Sequence, residues 1–176
     1  QSIDVGGRLR VDSKADIDTL DVGGTASVNG GRINKIDAGG SFVSNAPLEF
    51  EHIDVGGLVR LTGDNKGKDI DVGGALIIIG NFNFDGIDVG GKVEIRGSAQ
   101  GGRMDIGGKI QVSGSLTLSE DLEVGGKIEI GQEVTAQNIE VGGTLHAHKA
   151  TANNRVEVGG SIYTSEGVNA SLVEIG

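Results

Sequence analysis

Apolar and polar residues alternate along this chain in short bursts, and the bursts recur with a fixed period. In the stretch 122–138, Leu122-Glu123-Val124 sets one charge between two apolar side chains, and Gly125-Gly126 interrupts. Lys127-Ile128-Glu129-Ile130 then resumes the alternation, and Val134-Thr135-Ala136 repeats it after Gly131. A period of two is that of a strand with one buried face, so each unit predicts three short strands separated by corners. The layout runs the length of the chain. An acid, an apolar residue and a glycine recur with their first glycines at Gly6, Gly23, Gly39, Gly56, Gly73, Gly90, Gly107, Gly125, Gly142, Gly159 and Gly176. The intervals are 17, 16, 17, 17, 17, 17, 18, 17, 17 and 17 residues. A unit of this size repeated about ten times predicts a solenoid, in which each turn hides its apolar face only by stacking on its neighbours. The expected fold is all-β: one continuous parallel β-helix over residues 1–176, triangular in section, with three short strands per turn. Right-handed winding is expected because parallel crossovers strongly favour it. At about 4.8 Å per turn the rod would be about 48 Å long.

Inward positions follow from the alternation. Apolar residues flank each acid on the first face, and Leu9/Val11, Val59/Leu61, Val93/Ile95, Ile110/Val112 and Ile128/Ile130 supply the second. The third alternates bulk through Leu48/Phe50, Asn65/Gly67, Phe82/Phe84, Ala99/Gly101 and Leu116/Leu118. Large side chains are expected to fill the space beside small ones, which places Phe42, Phe50, Phe82 and Phe84 inside. The glycine pairs mark a sharp corner, where the freedom of glycine at φ > 0 is the expected reason for their use.

Charge changes the picture because of where it lies. The net charge of -10 weighs against a nucleic-acid partner. Asp4, Asp21, Asp37, Asp54, Asp71, Asp88, Asp105, Glu123, Glu140, Glu157 and Glu174 share one repeat position, and the other 14 acids nearly balance 15 bases. The excess therefore forms a single line. Carboxylates about 4.8 Å apart repel by roughly 1 kcal/mol in water, which invites a cation. No set of loop ligands accompanies the row, so a solvated face that keeps rods soluble is the preferred reading. Lys92, Lys109 and Lys127 beside Glu94, Gln111 and Glu129 predict ion pairs between turns, with an anion-binding stripe as the alternative. On the same face of earlier turns Val43, Leu58, Ile77 and Ile79 are a candidate lateral contact. His146-Ala147-His148 points two imidazoles from one strand, a possible metal pair, but with only Glu129 and Tyr163 as neighbours in adjacent turns incidental surface histidines are the preferred reading. His52 stands alone near a corner. Phosphate loops, nucleophile–base pairs and dinucleotide signatures are absent from the sequence, so no catalytic, cofactor or metal residue is assigned. No cofactor or small-molecule substrate is expected.

Without cysteine there is neither a disulfide framework nor a thiolate site. No stretch approaches the roughly 18 apolar residues of a membrane span. Membrane association is expected only through segments outside these residues, and the expected compartment is the cytoplasm, with the extracellular surface as the alternative.

The rungs Val124-Gly125-Gly126-Lys127-Ile128-Glu129-Ile130-Gly131 and Val158-Gly159-Gly160-Ser161-Ile162-Tyr163-Thr164, followed by Val173-Glu174-Ile175-Gly176, resemble those of the bactofilins, a polymer-forming cytoskeletal family. The likeness covers nearly every rung, in length and pattern rather than in a diagnostic signature. It implies a right-handed triangular β-helix, filaments built by end-to-end contact, cytoplasmic or membrane-associated, and no catalysis. The chain departs from the family in its nearly invariant Asp/Glu-x-Gly-Gly corner and in showing no disordered tail, which puts membrane attachment in doubt.

The ends of the rod carry the main functional expectation. The end of a β-helix is a sheet edge around an apolar triangle, and such edges invite pairing. Only Gln1 and Ser2 precede the first motif and the last motif reaches Gly176, so both ends are expected to lie open. Self-assembly is expected through Ile3, Val5, Leu9 and Val11 at one end and Ile162, Val168, Leu172, Val173 and Ile175 at the other, with the chain itself as partner. A secreted or surface solenoid serving as an adhesin or envelope component is the alternative, and a β-helix carbohydrate-active enzyme a remote one. Filaments seen by microscopy separate the first from the second. The enzyme needs long loops around a cleft, and 17-residue rungs leave almost none.

Overall fold

A computed structural model describes residues 1–176. The chain has no helix. Its 26 strands pair only in parallel, each turn on the next, so the chain is a single-domain β-solenoid of about ten turns. The first face holds the acid-bearing strands, from Ser2–Val5 to Leu172–Ile175. The second holds those that follow each glycine pair, from Arg8–Val11 to Ser161–Thr164, and forms a ten-stranded sheet of its own. The third ends at Val168–Asn169.

Three separate strands per turn hold through the middle of the rod and again in the last turn. In five places the third face runs into the first as one strand: Ala15–Val22, Gly31–Ala38, Leu48–Val55, Glu133–Val141 and Lys149–Val158. That corner is a bend in extended backbone. Its ladder bonds survive, as where Gln137 donates to the Glu120 carbonyl at 2.8 Å. The two irregular intervals are also placed. Val11 pairs with Val28 and Ala15 with Gly31, so the missing residue falls at Asn29-Gly30. The additional residue falls at Ser119–Asp121, because Leu116 pairs with Val134 while Leu122 pairs with Ile139.

Because successive side chains point to opposite sides, the alternation sorts the chain into a core and a surface. One continuous apolar cluster runs from Ala15 to Val158. Asn65 occupies an inward position and is satisfied there: it accepts from Leu48 N–H at 2.9 Å and donates to the Gly63 carbonyl at 2.6 Å, as buried amides must. The alternation of bulk on the third face has a direct cause. A Cβ on Gly67 would fall inside the Phe50 ring and one on Gly101 inside the Phe84 ring, so each phenylalanine fills the gap of the next turn. All four phenylalanines are buried, with Phe82 stacked 6.1 Å from Phe50 and 5.3 Å from Phe84. Phe50→Ala is expected to cost about 3 kcal/mol in urea unfolding. Adding Gly67→Leu to that variant should recover part of the loss, whereas Gly67→Leu alone should destabilise, a non-additivity that a double-mutant cycle reads out.

The expected reason for the glycine pairs is corrected. None of them takes a positive φ; the glycines that do are Gly30, Gly31, Gly63, Gly80 and Gly167, all in the corner between the second and third faces. What the pairs need is proximity. From Gly23 to Gly160, a Cβ on any of them would lie 2.8 Å or less from the carbonyl oxygen of the glycine one turn earlier. No real Cβ tolerates this, so the chain is bare there because the turns touch.

Candidate functional site

The two ends are built from the same ladder as the interior but are paired on one side only. Ser2–Val5 pairs with the following turn, as does Arg8–Val11, and neither has a strand beyond it. Ile3, Val5, Leu9 and Val11 continue the inward columns of Leu20, Val22, Ala26 and Val28 and are half-buried against the core. An added Cβ at Gly6 or Gly7 would touch nothing within 4 Å. The N-terminal amine pairs with the Asp18 carboxylate, and Arg10 donates to Asp12 at 2.6 Å.

At the other end, Ser161–Thr164, Val168–Asn169 and Leu172–Ile175 pair only with the preceding turn. Ile162 and Val168 are half-buried on the core. Val173 and Ile175 continue the inward columns of Val156 and Val158 and are 42% and 59% exposed, for want of a neighbouring turn. Leu172 pairs with Arg155 and so points outward, 47% exposed. With Tyr163 these three are the exposed large hydrophobic residues of the chain, all at one end.

Along the sides the rows are in register. Each acid of the first face pairs with the acid one turn on, from Asp4–Asp21 to Glu157–Glu174. Partial burial, and then the neighbouring Asp88 and Asp54 charges, hold the Asp71 carboxyl above its ordinary value. A raised carboxylate costs stability once deprotonated, so Asp71 is a weak point at neutral pH. No group of three or more acids and histidines is arranged to hold a metal ion.

The Lys–Glu row pairs both within and between turns. Lys92 and Arg96 each reach Glu94 of their own turn at 2.8 Å, while Lys109 reaches Glu129 in the next turn at 2.5 Å and Lys127 meets it from its own at 2.6 Å. Hydrogen bonds from both ammoniums lower the Glu129 carboxyl to about 2. Because this acid is lowered in the folded state, its contribution is full above the unfolded value near 4.5 and is lost as pH falls towards 2. Solvent screening limits it to about 1 kcal/mol. Urea titrations across that window should show the wild type losing about this much more stability than Glu129→Gln, and high salt should shrink the difference.

The apolar side residues do not form one column. Val43 and Ile77 share a column with Arg60 between them and Glu94 after, Leu58 stands in the neighbouring column between Ser41 and Ala75, and Ile79 pairs with Thr62. All four are half-buried.

The histidines take separate partners. His146 lies between Glu129 and Tyr163, with the tyrosine ring 5.9 Å away at 60°. His148 faces the next corner, where its Nδ1 lies 2.5 Å from Ser165 Oγ and its Nε2 3.1 Å from Glu166. The sequence places no nucleophile beside a base, so this trio exists only in the fold. It lies open to solvent, with the His148 and Glu166 side chains 52% and 59% exposed. Ser165 and Glu166 also donate backbone N–H groups to the His148 carbonyl at 3.1 and 2.8 Å, so the trio fastens the last corner. His52 is not alone: it meets Asp69 one turn on at 3.2 Å.

A second ladder, of side chains, runs along one corner. Asp64 accepts from Asn81 N–H at 2.9 Å, Asn81 from Ser98 N–H at 3.0 Å, Ser98 from Ser115 N–H at 3.2 Å, and Ser115 Oγ donates to Gln132 at 3.1 Å. These side chains stand in for the backbone ladder at the corner between the second and third faces. Their spacing of 17 residues was the available signal, hidden by the change of residue type.

The fold defines the class of protein: a parallel β-solenoid of repeated turns, which fits a structural scaffold. No protein-family model, curated protein or solved structure matches the chain.

Proposed function

We propose that this chain is a non-enzymatic structural subunit that assembles end to end into filaments, with another copy of itself as partner. One observation carries the reading. Both terminal turns leave every strand of the outer side without a partner around an apolar interior, and the exposed large hydrophobic side chains gather at one of those ends. Joining two rods there pairs the free edges and continues the core, as each turn already does on the next. The likeness to bactofilins in rung length and pattern supports the same reading.

The acidic first face suits it as well. A line of like charges on every rod opposes side-by-side aggregation and leaves the ends as the places where copies meet. Negative-stain microscopy of the purified 176-residue chain tests the proposal: unbranched filaments one rod wide are expected, and discrete rods about 48 Å long at high concentration would overturn it.

A further inference from the structure

We infer that Asn29 is a site of spontaneous modification, losing ammonia to become aspartate or isoaspartate in the folded protein. Asparagine followed by glycine is chemically fragile because the glycine amide meets little steric hindrance on its way to the asparagine side chain, and Asn29-Gly30 is the one such pair in the sequence. The fold decides whether that fragility is expressed. In most of this rod backbone N–H groups are locked in the ladder between turns, and a locked amide cannot attack.

Gly30 escapes the ladder. Its corner is the one that lacks a residue: the second face ends at Val28 and the third begins at Gly31, so the chain crosses in two residues, with Gly30 at φ 70° and Gly31 at φ 112°. The Gly30 carbonyl accepts from Ala15 and the Gly31 amide donates to Pro47, but the Gly30 amide has no acceptor. Asn29 is exposed, held only by a 3.3 Å hydrogen bond from Nδ2 to the Asp12 carbonyl. Asp85-Gly86 offers the contrast. It can form the same ring, but its glycine amide is engaged to the Lys68 carbonyl at 2.9 Å and the Asp85 amide to the same oxygen at 2.8 Å.

The step balances without a co-reactant other than water. The Gly30 nitrogen gives its proton to solvent base and bonds to the Asn29 side-chain carbonyl carbon, and the bond from that carbon to Nδ2 breaks as ammonia leaves. Water then opens the five-membered imide at either carbonyl, returning a normal aspartyl linkage or an isoaspartyl one. Both add a negative charge close to Asp12. The isoaspartyl form also lengthens the backbone by one methylene in a corner already fitted to two residues.

The test is to age the folded chain in mildly alkaline buffer made with heavy-oxygen water and to map its peptides by mass spectrometry. The expected result is a rise of one mass unit from the exchange of amide for acid, plus the heavy-oxygen label, confined to the peptide bearing Asn29. Asn29→Gln should lose the change, and Asp85-Gly86 should take up no label. The folded rate should stay within about tenfold of that in urea-unfolded chain, a barrier difference within about 1.4 kcal/mol. An Asn29 that stays intact in the folded chain while the unfolded chain converts would overturn the inference. So would equal label at Asp85, which would mean that the free amide is not what selects the site.

Discussion

Val173→Arg abolishes filaments, on the end-contact reading, while leaving the β-sheet circular dichroism and the unfolding transition of the single rod nearly unchanged. The asymmetry comes from exposure. In one rod Val173 is 42% exposed, so an arginine can lay its stem over the open end and keep its guanidinium in water. Once a second copy covers that end, the same guanidinium must lose its water without a carboxylate to receive it. Stranding a charge in this way costs several kcal/mol. At about 1.4 kcal/mol per decade, a loss of about 4 kcal/mol weakens each junction roughly a thousandfold, enough to leave separate rods at ordinary protein concentrations. Leu9→Arg at the opposite end should do the same. Mixing the two variants should give at most short oligomers, because each retains one intact end. Thr117→Arg, on an exposed side position of the third face, is the control and should leave filaments intact. Filaments of wild-type length from Val173→Arg would sink the end-contact model.

Most of the fold was legible because the repeat over-determines it. Each face is stated about ten times, so one unclear rung does no harm, and the positions of Leu20, Ile36 and Ile53 follow from period alone. What the repeat did not show was anything that depends on three-dimensional contact between turns. Glycine's usual message is local, a bend, whereas in these pairs it is a backbone oxygen one turn away. Which way Leu172 points at the end of the rod is set by its register with Arg155, which turns it outward beside the inward Val173. Val43, Leu58, Ile77 and Ile79 share apolar character on one face, but only the register shows that Arg60 stands between Val43 and Ile77. The His148–Ser165–Glu166 trio lay beyond sequence reasoning because its parts come from different turns and meet only at a corner.

The glycine pairs supply the second large expectation, and it bears on the first. Gly57→Ala should destabilise the rod by about 3 kcal/mol in urea unfolding. Its Cβ would overlap the Gly40 carbonyl oxygen, an atom already receiving the Leu58 amide at 3.2 Å. Relief requires the two turns to part at that corner, which strains ladder bonds worth about 1 kcal/mol each on top of an overpacking cost of about 1–3 kcal/mol. Gly74, Gly91 and Gly108 stand in the same column and should behave alike. Gly7 occupies the equivalent place in the first turn, but its Cβ would meet nothing within 4 Å. Gly7→Ala should therefore leave the single rod as stable as wild type, or slightly more so through the reduced freedom of its unfolded chain. In a filament whose junction repeats the stacking of the interior, that methyl group would no longer face solvent. It would press on the backbone of the neighbouring copy as Gly57→Ala presses on Gly40, and assembly should weaken although the subunit is unharmed. A Gly7→Ala protein that polymerises like the wild type would mean that the copies meet without continuing the ladder, even if Val173→Arg still keeps them apart.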